Sequence, residues 1–340
     1  MLHKLCETSI SKIYSDENLQ GKRQKSIFAN RSINYHGINM KKTFVAIVLA
    51  ACASVSVHAA NTVENQSVPY VKQDNQRYTL QTGDLTMVVD AAAGGKILSF
   101  KYKDKEVISQ SRWPETFGST FWTSPQKEWN WPPVPEYDKQ AYTVEERGET
   151  LLLTSGVSPR LGYRISKSFD VDNKRHAFVI TYSIKNESKD TRSVAPWEIT
   201  RVPNEGLIFF DAPTEGITPA GLMPFKSEYG ISWYATDVAN ENRKVNADGK
   251  GWLAYINDGL LLVKKFQDLK AGQPAPEEAE IQVYVNRGKS YIELESQGTY
   301  TTLKPGESLQ WSVKWYLLPY EKEATPSKKL LKDVRKAIKK

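Results

Sequence analysis

Apolar and polar residues alternate along most of the chain from Tyr78 onward. Between Ala177 and Ile184, the side chains of Phe178, Ile180, Tyr182 and Ile184 fall on one face, the period of a half-buried strand. Similar runs occur at residues 85–89, 96–102, 151–155, 163–171, 260–264, 281–285, 291–295 and 309–317. Turn chemistry separates them. Asn257-Asp258-Gly259 reads as a hairpin turn, and Lys304-Pro305-Gly306-Glu307 as a type II turn. Many short strands at regular spacing predict an all-β fold of antiparallel sheets, with one domain over residues 61–325. Only residues 326–340 read as helix. Pro326-Ser327 starts it, and Leu330, Leu331, Val334 and Ile338 form an apolar stripe among lysines.

The strongest local signal upstream is at Met40. Met40-Lys41-Lys42 precedes an apolar run from Phe44 to Val57 and then His58-Ala59-Ala60, the pattern of a cleaved signal peptide over residues 40–60. The run is too short to span a bilayer, so the mature form is expected to carry no integral membrane segment. Residues 1–39 read as an upstream extension of the reading frame or a disordered arm. The expected location is periplasmic or secreted. Leu49-Ala50-Ala51-Cys52 also resembles a lipoprotein box, and lipid anchoring at Cys52 is the alternative. Cys6 and Cys52 are the only cysteines, so a chain cut after residue 60 has neither a disulfide nor a thiolate site.

The formal charge of +7 is unevenly spread. Residues 1–60 carry eight Lys/Arg against three Asp/Glu, and from Lys328 to the end there are seven against Asp333 alone, which leaves about −4 for the body between them. A near-neutral or acidic body offers no basic face for nucleic acid.

Three segments could carry chemistry. Residues 118–133 hold Trp122, Trp129 and Trp131 among prolines and read as a loop rather than a strand. Indole faces stack on the C–H faces of sugars while amides and carboxylates fix hydroxyls, which makes Gln126, Asn130 and Glu128 the polar candidates. The other reading is a loop whose tryptophans are core. The second segment is Val194-Ala195-Pro196-Trp197-Glu198-Ile199-Thr200-Arg201-Val202. There Glu198 shares a strand face with Pro196 and Thr200, and Arg201 shares the opposite face with Trp197 and Ile199. A charge inside an apolar run is costly unless it is paired or lines a cavity, so Glu198 is a site or an ion pair. The third is Tyr291–Gly298, where Glu293, Glu295 and Gln297 alternate onto one face, solvent being the simpler setting for Glu293. His176 is the one histidine after residue 60 and sits at a hairpin entrance, so neither a histidine-based metal cluster nor a Ser-His-Asp triad can be assembled. Gly94-Gly95-Lys96-Ile97 opens a strand rather than a phosphate-cradling helix. No cofactor and no metal are expected.

Gly94–Ile97, the tryptophan segment, Ala195–Pro203, Glu293–Gly298 and Leu303–Glu307 together resemble an uncharacterised bacterial family (domain of unknown function 4380), over residues 78–319. That family resembles a distant branch of the galactose-mutarotase-like superfamily, which implies a supersandwich of antiparallel sheets with a sugar site on its concave face. Aldose epimerases of that superfamily use a glutamate base and a histidine acid. Glu293-Leu294-Glu295-Ser296-Gln297 is similar to the stretch holding their glutamate, which implies the base position for Glu295. Their histidine follows an Asn-x-Ser strand end. Here Asn186-Glu187-Ser188 leads instead to Trp197-Glu198, and Glu198 is the acid candidate if burial raises its pKa.

The expectation is a saccharide-binding protein using Trp122, Gln126, Trp129, Trp131, Arg201, Glu198 and Glu295. An epimerase-like or glycoside-cleaving enzyme with Glu198 and Glu295 as acid/base pair, and a structural envelope protein, are the alternatives.

Overall fold

The computed structural model describes residues 68–112, 116–288 and 290–339. The signal-peptide segment, residues 1–39 and both cysteines lie outside them.

The first strands are β1 (Tyr70–Lys72), β2 (Arg77–Thr82), β3 (Leu85–Asp90), β4 (Lys96–Tyr102), β5 (Lys105–Glu106) and β6 (Ser119–Ser124). A one-turn helix, α1 (Pro135–Asp138), leads to β7 (Thr143–Arg147), β8 (Thr150–Val157), β9 (Tyr163–Asp172), β10 (Ala177–Asn186) and β11 (Arg192–Val202). Then come β12 (Leu207–Phe210), β13 (Lys226–Glu228), β14 (Ile231–Ala235), β15 (Arg243–Ala247), β16 (Trp252–Asn257) and β17 (Leu260–Lys265). The chain closes with β18 (Ile281–Val285), β19 (Ile292–Gln297), β20 (Thr301–Leu303), β21 (Ser308–Pro319) and helix α2 (Lys328–Lys339).

These strands form two sheets. The first runs β1-β2-β3-β4-β6-β11-β19-β18-β15, with β5 on β4 and β20 on β11. The second runs β13-β14-β12-β16-β17-β21-β10-β9-β8-β7. Every pairing is antiparallel. Phe178, Ile180, Tyr182 and Ile184 are buried in the core between the sheets, as their alternation requires. The predicted turns form too. Asp258 and Gly259 both have positive φ, which suits the twist of the β16–β17 hairpin. Glu307 N donates to Lys304 O at 3.0 Å with Gly306 at φ 85°.

Helix α2 starts at Ser327, whose hydroxyl accepts from Leu330 N at 3.2 Å. Leu330, Leu331 and Val334 pack in a second cluster with Phe209, Trp233, Trp252 and Leu261, on the face of the second sheet turned away from the core. Among the described residues no helix is long and apolar enough to cross a membrane.

The segment read as an irregular loop is a strand in its first half. Residues 119–124 form β6, paired with β11 in the middle of the first sheet. All six are buried, so there is no polar face to betray the strand, and the prolines begin only at Pro125.

Candidate functional site

Register across the first sheet decides which side chains meet. In antiparallel pairs, residues directly opposite point to the same side. One row places Lys244, Tyr284, Glu293 and Arg201 together across β15, β18, β19 and β11. The next holds Asn246, Gln282, Glu295, Ile199 and Thr120. The third holds Gln297, Trp197 and Trp122. All three rows lie on the face turned away from the second sheet, here the outer face.

Charge on this face is paired. Arg201 Nη2 lies 2.7 Å from Glu293, and its guanidinium sits 5.7 Å from the ring centres of both Trp122 and Tyr291. Lys244 Nζ lies 3.0 Å from Glu295 Oε2 and 4.5 Å from the Trp197 ring centre. At the far end Lys96 pairs with Asp138 of α1 at 3.0 Å. Asp138 Oδ1 also accepts from Thr120 and from the Trp122 indole, each at 2.8 Å. Burial pushes the Asp138 carboxyl up, but Lys96 and these donors hold it below its ordinary value. Gly94 makes the packing possible: a Cβ there would meet Asp138 O at 2.4 Å.

The segment after β6 folds over these rows. Trp129 packs on Trp122 and Trp197, with ring centres 5.5 and 6.4 Å apart, and its N–H reaches Thr123 O at 2.8 Å. Gln126 N donates to Glu278 at 2.7 Å, and Gln297 donates to both Ser124 and Glu278 at 2.8 Å. Trp122 is 5% exposed and Trp129 2%, so both are packing residues. Trp131, 56% exposed, presents its ring to solvent and stands edge-on to Trp122 at 6.2 Å. Beside the loop, Gln126, Lys127, Lys244, Asn246, Gln282, Glu277 and Glu278 line an open cavity of about 370 Å³.

Glu295 is fully buried at the centre of the rows. Burial raises its carboxyl to about 7, against the opposing pull of Lys244. Folded Glu295 therefore holds its proton more tightly than unfolded Glu295. Its contribution to stability is greatest at low pH and falls as pH climbs from the ordinary carboxylate range to about 7. Glu295→Gln keeps an acceptor for the Trp197 N–H, now 2.9 Å from Glu295 Oε2. The melting temperature of this variant relative to wild type is expected to rise from about pH 5 to about pH 8. A difference independent of pH would contradict the buried carboxyl.

No family model matches the chain, and no curated protein does. Solved structures do match. A putative aldose 1-epimerase from Escherichia coli K12 superposes with a TM-score of 0.52 at 14% identity, over 72% of this chain and 99% of that one. A galactose mutarotase-like protein from Lactobacillus casei gives 0.51 at 11%, over 71% and 100%. A TPR-domain containing protein from Parabacteroides distasonis gives 0.53 at 13%, over 74% of this chain and 49% of that one.

This chain has a galactose-mutarotase-like fold.

Within the galactose-mutarotase-like sandwich, the expected site residues separate into two groups. Trp122, Trp129, Arg201 and Glu295 come together on the outer face, with Trp131 and Gln126 at its rim. Glu198 does not join them. It is opposite Ser296 and Phe121, on the face toward the second sheet, so Glu198 and Glu295 share no cavity and form no acid/base pair. Glu198 instead meets Lys264 of β17 at 2.5 Å, Tyr182 at 2.5 Å and Trp315 at 3.3 Å, with both charged side chains fully buried. Glu293 is corrected as well: it is buried rather than facing solvent, its charge matched by Arg201 directly opposite on β11. Sequence reasoning missed Asp138, Lys244, Asn246, Gln282 and Lys264. The signal for Lys264 was available, because a charge ending the run Leu260–Val263 is as costly as the one that singled out Glu198.

Proposed function

We propose that the protein binds a saccharide on the outer face of the first sheet, between Trp131, Gln126 and Lys244, without converting it. The observation that carries this is an exposed indole, Trp131, held edge-on by buried Trp122, on the same segment whose Gln126 lines a cavity of amide and charged side chains. A sugar has an apolar C–H face and a ring of hydroxyls, and such a site meets both. The cavity of about 370 Å³ falls within the ~300–1,000 Å³ of small-molecule sites. The fold supports the reading, since solved structures sharing it include a putative aldose 1-epimerase and a galactose mutarotase-like protein. The tryptophan segment and the Pro196–Arg201 run, on which the resemblance to the uncharacterised family rests, both contribute to this face, and we assign the chain to that family. The pattern at residues 40–60 supports export to the periplasm. The N-terminal mass of the native protein tests it, and an intact residue 40–60 segment would refute it.

Ring opening needs a proton delivered to the ring oxygen while another leaves the anomeric hydroxyl. Glu295 is a base candidate, but Glu198 points into the core and His176 lies at the β9–β10 turn, on the second sheet, among the residues lining another cavity. Anomer interconversion is therefore expected at the rate of buffer alone. Calorimetric titration with hexoses and short oligosaccharides tests binding. Trp131→Ala is expected to weaken it by about 1–2 kcal/mol, ~5- to 30-fold, with an unchanged melting temperature. Unaltered affinity in Trp131→Ala would move the site elsewhere. Catalysed interconversion lost in Glu295→Gln would make the protein an epimerase.

A further inference from the structure

Helix α2 packs Leu330, Leu331, Val334 and Ile338 against the second sheet. Lys328, Lys329, Lys332, Arg335, Lys336 and Lys339 are all exposed. At about 100° per residue these six fall within an arc of ~120°, on the face opposite the apolar stripe, over ~17 Å of helix. Asp333, the only acid of the helix, lies outside that arc, and none of the six forms a salt bridge among the described residues. The arrangement is costly as it stands. Lys328–Lys332, Lys332–Lys336 and Arg335–Lys339 are like-charge pairs four residues apart, which repel. Lys328 and Lys329 stand in the first turn, at the positive end of the helix dipole, with no acid there to offset them. Lys322, just before the helix, contacts Lys329, and the meeting of two ammonium groups holds its pKa below the ordinary lysine value.

A helix face that meets only water has no need of an unbroken cationic stripe, since interleaved acids would remove the repulsion. An anionic partner removes it too. Apolar surface flanks the stripe near both ends. Tyr229, 50% exposed, has Lys328 Nζ 5.8 Å from its ring centre. Lys336 lines a cavity of about 590 Å³ with Tyr102, Leu318 and Pro319 in its walls. A hydrophilic polyanion would match the cations and leave these groups in water, whereas a bilayer interface offers phosphates and apolar surface together. We propose that the exposed face of α2 docks the protein on an anionic phospholipid surface. Docking is peripheral, because the apolar stripe stays packed on the second sheet and is not available for insertion. It turns the outer face of the first sheet away from the membrane, and it stands independently of the saccharide reading.

The test is flotation of the protein with vesicles of phosphatidylcholine alone or with about 30% phosphatidylglycerol, at ~150 mM salt. Wild type is expected to float with the anionic vesicles only, and to be released at ~1 M salt, where charge is screened within about 3 Å. The triple variant Lys328→Gln, Lys332→Gln, Arg335→Gln is expected to bind about 100-fold more weakly, since each basic residue at such a surface contributes about five-fold. It is expected to melt no lower than wild type at low salt, because it removes repulsion and keeps good helix formers. The same change of net charge at exposed positions elsewhere, Lys72→Gln, Lys189→Gln, Lys304→Gln, is expected to weaken binding less than about three-fold. Equal partition of wild type onto both kinds of vesicle, or equal losses in the two triple variants, would overturn the docking face. Retention of wild type on heparin at the same salt, with no flotation, would also overturn it and make the partner a soluble polyanion.

Discussion

Replacing Lys264 with methionine is expected to destabilise the protein by about 3–5 kcal/mol, the cost of stranding one member of a buried ion pair. The pair joins the two sheets through the middle of the core. Lys264 Nζ is 2.5 Å from Glu198 and donates to Thr200 at 2.9 Å, with the Trp315 ring centre 5.1 Å away. Burial lowers the Lys264 pKa even against the pull of Glu198, so this ammonium depends on its carboxylate. The variant leaves Glu198 facing Tyr182 and Trp315 with its cation gone. Urea unfolding at neutral pH measures the loss. The double variant Glu198→Gln with Lys264→Met removes both charges and is expected to recover most of it, because neutral replacements of similar size need no counter-charge. A loss below about 1 kcal/mol in the single variant, or a double variant no better than the single, would contradict the core assignment of Glu198.

Trp129→Ala is expected to cost about 3–5 kcal/mol, in the range for emptying a buried aromatic site. Its ring lies against Trp122 and Trp197 and its N–H is taken by Thr123 O. The indole therefore closes the loop over the outer face, and its loss exposes the rows beneath. Trp131→Ala, two residues on, removes a ring that is more than half exposed and is expected to leave stability unchanged within about 0.5 kcal/mol. Guanidinium unfolding of the two variants side by side reads the contrast. Equal stability losses would mean that Trp131 is also a packing residue, and would remove the aromatic platform from the site.

The strands were legible because a sheet with one buried face writes period two into the sequence, as between Phe178 and Ile184. Helix α2 was legible from Ser327 and its apolar stripe. Strand β6 was not, because Ser119–Ser124 is buried on both faces and shows no alternation. The faces of Glu198 and Arg201 followed from β11 alone. Their partners did not, since Lys264 lies 66 positions from Glu198 and Glu293 lies 92 from Arg201, distances only the sheet register closes. The row Asn246–Gln282–Glu295 was hidden for the same reason: one residue comes from each of three strands, and two are amides with no signature of their own.

The most direct measurement is an NMR titration of tryptophan-¹⁵N-labelled protein with the saccharide that binds best by calorimetry. Indole N–H groups on both sheets report at once. Binding on the outer face is expected to shift Trp131 and Trp197, the latter through its hydrogen bond to Glu295, and to leave Trp233 and Trp252 of the second sheet unmoved. Shifts at Trp233 and Trp252 with Trp131 and Trp197 unchanged would contradict the outer-face site.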